Sequence, residues 1–172
     1  SSRRRHTRFR NVTGVQTCAL PIYRVPYGVN ATNKGSGVLP ELLNDPVFRI
    51  IRLDLERNVA LFSPEIEVPL APFMGIMAVA PPADITTVSS RPPGAFGGNL
   101  DLKQLTKGAT LYLPVFNMGA LFFTGDAHSA QGDGEIDGTA IETSLTPTFQ
   151  LDRKSTRLNS SHVSESRMPS SA

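Results

Sequence analysis

The central part of the chain lacks thiols and has a single histidine. The one cysteine, Cys18, lies in the first 22 of 172 residues, and two of the three histidines, His6 and His162, lie near the ends. Residues 23–151 therefore keep only His128, which excludes a cysteine nucleophile and a disulfide framework there. No run approaches the roughly 20 apolar residues of a membrane-spanning helix, so we expect no membrane partner. A 40% apolar content is enough for one domain core.

Charge is unevenly distributed along the chain. Residues 1–22 carry five arginines and no acid (+5), and residues 152–172 carry four basic against two acidic residues (+2). Residues 23–151 carry eight basic and thirteen acidic residues (−5). Basic arms suggest nucleic-acid binding, but the acidic middle argues against it, so we expect no nucleic-acid partner.

Both arms resemble translated sequencing-adapter sequence rather than natural protein. The segments that carry this resemblance are SRRRHTR (2–8) and VTGVQTCALPI (12–22) at one end, and DRKSTRLNSSH (152–162) and SRMPSSA (166–172) at the other. Neither arm shows helical or strand periodicity. We therefore interpret residues 1–22 and 152–172 as artefactual arms, to be set aside in fold reasoning like a fusion scar.

Residues 23–151 predict a mainly β fold, an antiparallel β-sandwich or a distorted barrel with long Pro/Gly loops. Residues 23–46 are rich in Gly, Pro and Asn and are interpreted as connecting structure, with one helical turn at 40–44. Short β-rich runs follow at 47–55, 58–63, 66–70, 72–82, 109–116, 120–128 and 139–151. A loop as long as 83–98 is uncommon unless it serves a site.

The segment GDAHSAQGDGEIDGTAIE, from Gly125 to Glu142, concentrates polar side chains after an apolar run. On an extended strand Asp126 and His128 project to one face, which is half of a divalent metal site. Imidazole with carboxylates suits zinc, and oxygen ligands alone suit calcium or magnesium. The same residues also fit a polar turn without any ligand, and both interpretations stay open at this point. Glu142 falls at the tenth position of a calcium-type loop instead of the twelfth, which excludes a helix–loop–helix calcium site.

The reaction type is narrowed by what is missing. Residues 23–151 have no GxSxG elbow and no second histidine, so a serine nucleophile with an imidazole base is poorly supported. Water activated by a metal or by a carboxylate remains. Glu135 is the natural general base, because a carboxylate beside a metal site can accept the proton of water.

Three long motifs resemble the acetamidase/formamidase family in order and spacing. They are PFMGIMAVAPP, PPGAFGGNLDLKQLTKGATLYLPV and GALFFTGDAHSAQGDGEIDGTAIE, and the resemblance covers most of residues 39–150. It implies hydrolysis of short aliphatic amides to carboxylate and ammonia, in a β-rich fold with a divalent metal. Family members are longer at both ends, so we expect an internal fragment that is itself inactive.

The resemblance also assigns roles to individual residues. The expected metal ligands are Asp101, Asp126 and His128, the catalytic residues are Glu135, Asp133 and Glu142, and the substrate-binding residues are Asn99 and Gln131. The expected cofactor is zinc, with calcium as the second candidate. The expected setting is a cytoplasmic homo-oligomer of the full-length protein that acts on a small amide. The alternative is a non-catalytic β module whose acidic loop binds calcium or a small polar ligand.

Overall fold

The computed structural model describes residues 11–155, which are built almost entirely of β-strands. The one helical element among them is a 3-10 turn at Pro40–Leu42, where one helical turn was predicted. The thirteen strands of this part are β1 (Asn11–Thr17), β2 (Ile22–Tyr23), β3 (Tyr27–Thr32), β4 (Val47–Asp54), β5 (Val59–Leu61), β6 (Glu67–Pro69), β7 (Phe73–Ala78), β8 (Gly97–Asn99), β9 (Thr110–Pro114), β10 (Phe123–Ala130), β11 (Ile141–Glu142), β12 (Leu145–Thr146) and β13 (Phe149–Ser155).

The largest unit is an eight-stranded antiparallel sheet with the order β6-β5-β4-β3-β11-β10-β7-β8. Strand β4 shows the alternation expected of a half-buried strand, because Ile51 and Leu53 are buried while Arg52 between them is exposed. Their neighbours in the core include Ala60 and Ile141. Over the described residues the sheets do not close into a barrel. The mainly β, antiparallel prediction is confirmed, and the sandwich fits better than the barrel.

A second sheet has three strands in the order β13-β1-β9, with β1 in the middle. Strand β1 pairs along its whole length with β13, from Asn11 opposite Ser155 to Thr17 opposite Phe149. Val15 is 1% exposed. Sequence periodicity did not indicate this strand, since backbone hydrogen bonds to two neighbours stabilise a strand whatever its side-chain pattern. The adapter-like origin of the arms stays a prediction.

The interpretation of residues 23–46 as connecting structure is wrong for its first part. Strand β3 pairs with β4 from Tyr27 opposite Arg52 to Thr32 opposite Val47. Its glycine content misled the prediction, because Gly28 marks a close approach of strands and not a turn. A Cβ there would lie 2.5 Å from Ile141 Cγ2, so only glycine fits without displacement.

Two neighbouring strands of the large sheet position the polar residues of the site. The apolar run predicted at 72–82 contains β7, which lies between β10 and β8. Phe73 of β7 is 1% exposed and Met74, which faces the opposite side, is 5% exposed, so the strand is covered on both faces, as its continuous apolar sequence predicts. Within residues 11–155, no helix is long and apolar enough to cross a membrane.

Candidate active site

His128 lies at the centre of a polar cluster on strand β10. Its side chain is completely buried, and the ring of Phe73 on β7 contacts it edge-on at a centroid distance of 5.0 Å. The Nδ1 atom lies 2.9 Å from Oε1 of Gln131. The opposite ring nitrogen, Nε2, therefore faces the carboxylates of the cluster with its orientation already set.

Three carboxylates approach His128 Nε2. The distances are 3.2 Å to Glu142 Oε2, 3.3 Å to Asp126 Oδ1 and 3.6 Å to Glu135 Oε1. None of these contacts has the geometry of a hydrogen bond, and both Nε2 and Oδ1 of Asp101 are buried without a hydrogen-bond partner. Buried polar atoms in native proteins nearly always have a hydrogen-bond partner or a bound ion, so we expect these two atoms to contact a ligand.

The two aspartates of the cluster have left-handed backbone conformations. The φ angles are 57° at Asp126 and 45° at Asp101. Non-glycine residues adopt such angles infrequently, and they concentrate at functional sites where the surrounding structure maintains the strain. Asp126 and His128 do converge, but the extended alternation on which that prediction rested does not hold at Asp126.

Gly75 leaves the space into which the carboxylates project. It lies on β7 opposite Asp126, between the pairs Gly125–Ile76 and Ala127–Met74. A Cβ on Gly75 would lie 2.5 Å from Asp101 Oδ1, 2.6 Å from Asp126 Oδ2 and 3.0 Å from His128 Cε1. Any other residue would displace at least one of these groups, so the cluster requires glycine here.

Neighbouring groups hold two of the carboxylates by hydrogen bonds. The side-chain amide of Asn99 donates to Asp101 Oδ2 at 2.6 Å. The backbone N–H of Ala140 donates to Glu142 Oε1 at 2.9 Å. In each case one oxygen is held and the other is directed into the cluster, as expected for ligands oriented by their surroundings.

The crowding of charge shifts the pKa values of the cluster. Burial lowers the pKa of His128, but Asp126 and Glu142 outweigh burial and raise it to about 10. Burial, then the charges of Asp101 and Glu142, raise the pKa of Glu135 to about 7. Burial and the charge of Asp126 also raise the pKa of Asp101, whereas the contact with His128 lowers the pKa of Asp126. Such divergent shifts within one group of side chains are typical of functional sites.

A cavity of about 490 Å³ gives access to the cluster. Asp126, Glu135 and Glu142 line it. Ser90 and Arg91 also line it, and both belong to the loop 83–98 that the sequence analysis associated with a site. This loop contains no strand before β8 begins at Gly97. The rest of the lining comes from Ile76, Asn99, Gly138 and Thr139.

Most of the predicted site residues meet in this cluster. The structure brings together the three expected metal ligands, Asp101, Asp126 and His128, and two of the expected catalytic residues, Glu135 and Glu142. Asn99 lines the cavity, as expected of a substrate contact. The roles of these residues remain predictions, since placement alone does not assign chemistry.

Two predicted residues lie elsewhere than expected. Asp133 does not join the cluster: its side chain is 93% exposed and forms an ion pair with Lys103 at 2.8 Å. The physical reason is that residues 131–140 form turns and not a strand, so a spacing of two does not place Asp133 and Glu135 on the same side. Gln131 does not line the cavity and instead bridges His128 and the backbone of Asp101.

Sequence reasoning missed Gly75, Phe73 and the loop residues Ser90 and Arg91. A signal for Gly75 was present, because a single glycine inside the apolar run PFMGIMAVA indicates close approach of another group. Phe73 has no such signal, since its contact with His128 depends on the pairing of β7 with β10. The loop residues depend on the path of an irregular segment, which has no periodicity to interpret.

Fold and site together define a class of protein. It is an antiparallel β protein in which one buried histidine and four carboxylates meet at the base of a cleft. Two overlapping groups in the described part of the chain, Asp101–His128–Glu135 and Asp126–His128–Glu142, have the composition of a divalent cation site.

The chain is similar to proteins of one known family. The model described as the Acetamidase/Formamidase family matches residues 85–166, a range that extends into the arm beginning at residue 152. The chain is 50% identical over 46 residues to an acetamidase of Mycolicibacterium smegmatis, covering 27% of the chain and 11% of that protein. It is 51% identical over 45 residues to a formamidase of Methylophilus methylotrophus, covering 26% and 11%. These matches confirm the resemblance of the chain to the acetamidase/formamidase family.

A solved structure extends the similarity to the fold. The crystal structure of an acetamidase from Bacillus halodurans superimposes with a TM-score of 0.78 at 33% identity. The match covers 86% of this chain and 48% of that chain. The chain thus spans about half the length of this relative.

Proposed function

We propose that the full-length protein is an amide hydrolase that cleaves short aliphatic amides to carboxylate and ammonia by means of a bound divalent cation. Acetamidase and formamidase are the names of its relatives, and a neutral amide needs an activated attacking water at ordinary pH. The observation that carries the proposal is the convergence of three carboxylates on the buried Nε2 of His128, which forms no hydrogen bond with any of them.

The residues present fit a cation. Two buried atoms, His128 Nε2 and Asp101 Oδ1, lack any hydrogen-bond partner, and both are good ligands for a metal ion. Gly75 leaves open the space between the carboxylates of Asp101 and Asp126. A cation would also offset the mutual repulsion of four partly buried carboxylates, which is otherwise costly.

Histidine favours zinc over calcium in this site. Calcium prefers six to eight oxygen ligands, whereas zinc accepts imidazole nitrogen together with carboxylate oxygens. We assign Asp101, Asp126 and His128 as ligands, with Glu142 held in position to complete the set. A bound zinc ion would lower the pKa of its water to about 7 and polarise the amide carbonyl.

Glu135 is the proton acceptor in this proposal. Its carboxylate lines the cavity, its side chain is 19% exposed, and Oε1 lies 3.6 Å from His128 Nε2. With its pKa raised to about 7, Glu135 is ionised in a substantial fraction of molecules at neutral pH and holds a captured proton well enough to deliver it. The proton that Glu135 takes from water then passes to the leaving amine, which departs as ammonia.

Asn99 provides a contact for the substrate amide. It lines the cavity, and its side-chain N–H group is directed to Asp101 Oδ2. Its side-chain oxygen is an acceptor of the type needed by the N–H groups of a primary amide. This would orient the amide nitrogen, the leaving group, within the cavity that Glu135 lines.

The test is ammonia release from formamide and acetamide by the full-length protein, expressed from the uninterrupted reading frame of the source genome. We expect turnover that a chelator abolishes and zinc restores, and loss of both zinc binding and turnover in His128→Ala. Full activity of His128→Ala would contradict the metal role. Tight calcium binding without turnover of any short amide would favour a non-catalytic binding module instead.

A further inference from the structure

Gln131 connects His128 to the backbone of Asp101 although it does not line the cavity. It follows strand β10 directly, and its side chain makes two contacts. The Nε2 atom donates to the backbone carbonyl of Asp101 at 2.7 Å, and Oε1 lies 2.9 Å from His128 Nδ1. The first contact reaches 30 residues back along the chain to a residue with a left-handed backbone.

These two contacts determine the tautomer of His128. A backbone carbonyl can only accept a hydrogen bond, so the NH₂ end of the Gln131 amide must face Asp101. The carbonyl end then faces His128 Nδ1, and that nitrogen must carry the proton. The neutral imidazole that binds a metal has a single N–H, so in that form Nε2 carries the lone pair on the side that faces Asp126, Glu135 and Glu142. Without a cation, Nε2 holds a second proton that faces the same carboxylates.

Packing around the imidazole of His128 prevents the ring from rotating to another orientation. The ring is fully buried and packs against Phe73 at an interplanar angle of 86°. Rotation of the ring by 180° about χ2 would turn Nδ1 away from Gln131 Oε1. The hydrogen bond to Gln131 therefore sets both the proton position and the ring orientation.

We propose that Gln131 is a positioning residue that presents Nε2 of His128 as a metal ligand and fixes the backbone of Asp101 beside it. The inference rests on the proposed function, because it assigns Gln131 to the same metal site. Groups that accept a hydrogen bond from the second nitrogen of a metal-binding histidine orient the ring and raise the basicity of the ligand. Gln131 does more than orient the ring, because it also donates a hydrogen bond to the backbone of Asp101. One side-chain amide therefore holds two of the proposed metal ligands.

The experiment measures zinc affinity of the metal-free full-length protein by calorimetry, comparing wild type with Gln131→Met. Methionine has a similar length but neither accepts from Nδ1 nor donates to the Asp101 carbonyl. We expect zinc affinity to fall roughly 10- to 100-fold, the usual cost of losing a partner behind a ligand. The matched control is Gln104→Met, which changes an exposed glutamine three residues after Asp101 and should bind zinc like wild type.

A second variant separates positioning from general disruption. Gln131→Glu keeps an acceptor facing Nδ1 and loses the donor to Asp101, so it should bind zinc more tightly than Gln131→Met. Nitrogen NMR of the zinc-loaded wild type should show His128 protonated at Nδ1 and bound through Nε2. Wild-type affinity in Gln131→Met, or zinc bound through Nδ1, would overturn this role alone. No zinc binding by wild type would overturn the metal site and this role together.

Discussion

Asp133 and Glu135 are two residues apart in the same turn segment, yet they have opposite environments. Glu135 is 19% exposed and lies 3.6 Å from the buried imidazole of His128. Asp133 is 93% exposed and pairs with Lys103 at 2.8 Å. The difference shows that an acidic cluster in a sequence need not be a cluster in space, because a turn directs neighbouring side chains to different sides.

The two environments shift the pKa values of the two carboxyls in opposite directions. Burial and nearby negative charges raise the pKa of Glu135 to about 7. The contact with Lys103 lowers the pKa of Asp133, although solvent screens this exposed pair strongly. Of these two carboxyls, only that of Glu135 has a pKa in the range where it both accepts and releases a proton at neutral pH.

The largest difference between Glu135 and Asp133 is expected when each carboxylate charge is removed in turn. Glu135→Gln in the full-length protein should lower kcat for formamide about 10²- to 10⁴-fold, since general base catalysis contributes that much. Asp133→Asn should leave kcat within about twofold, because an exposed ion pair contributes little. Steady-state ammonia release measures both. Equal losses in the two variants would show that placement in the cluster does not determine the role.

A second prediction tests the space between the carboxylates. Gly75→Ala places a Cβ within 2.6 Å of oxygens of Asp101 and Asp126, which should cost about 1–3 kcal/mol of unfolding free energy and weaken zinc binding. Gly125→Ala is the matched control on the adjacent strand, where a Cβ would meet no atom within 4 Å. Urea unfolding and zinc titration of both variants provide the measurements. Unchanged zinc affinity in Gly75→Ala would exclude a cation between these two carboxylates.

The smallest expected effect is the change in the unfolding free energy of the metal-free protein for each unit of pH. The folded-state pKa of Glu135 is raised from 4.5 to about 7 and that of His128 from 6.5 to about 10. In both windows the folded state binds more protons than the unfolded state, so the stability these groups contribute is complete below the lower value and lost as pH rises through the upper one. For each proton the loss is at most about 1.4 kcal/mol per pH unit.

Urea unfolding from pH 5 to pH 10, with chelator present, measures this decline. Glu135→Gln should flatten the part below pH 7, and His128→Gln should flatten the part between pH 7 and pH 10. Zinc should reverse the trend over neutral pH, since the metal binds deprotonated ligands. A metal-free protein whose stability rises between pH 7 and pH 10 would contradict the raised pKa of His128.

Strand prediction succeeded where side-chain patterns reflect burial. Strand β4 alternates around Ile51 and Leu53, and β7 is a continuous apolar run between two neighbours. It failed at β1 and β3, each of which pairs with a strand far along the chain, β1 with β13 and β3 with β11. A strand stabilised mainly by backbone pairing has no side-chain period to detect.

The candidate site could be predicted in composition but not in arrangement. His128, Asp126, Glu135 and Glu142 stand out because polar side chains follow an apolar run and the segment resembles a known family. The placement of Asp133 outside the cluster and of Gln131 behind His128 could not be predicted. Both depend on the path of residues 131–140, which make turns with no repeating geometry.

The sequence by itself determined the kinds of group available for chemistry: one central histidine, several carboxylates and no thiol, in a chain of short β-rich runs. Such content is local, and so are the motifs that resemble the acetamidase/formamidase family. Only the tertiary structure decided which groups meet, because Asp101 and Gly75 reach His128 through strand pairing and not through proximity in sequence. Burial then decided their chemistry, since the pKa of a carboxyl depends on the solvent and charges around it.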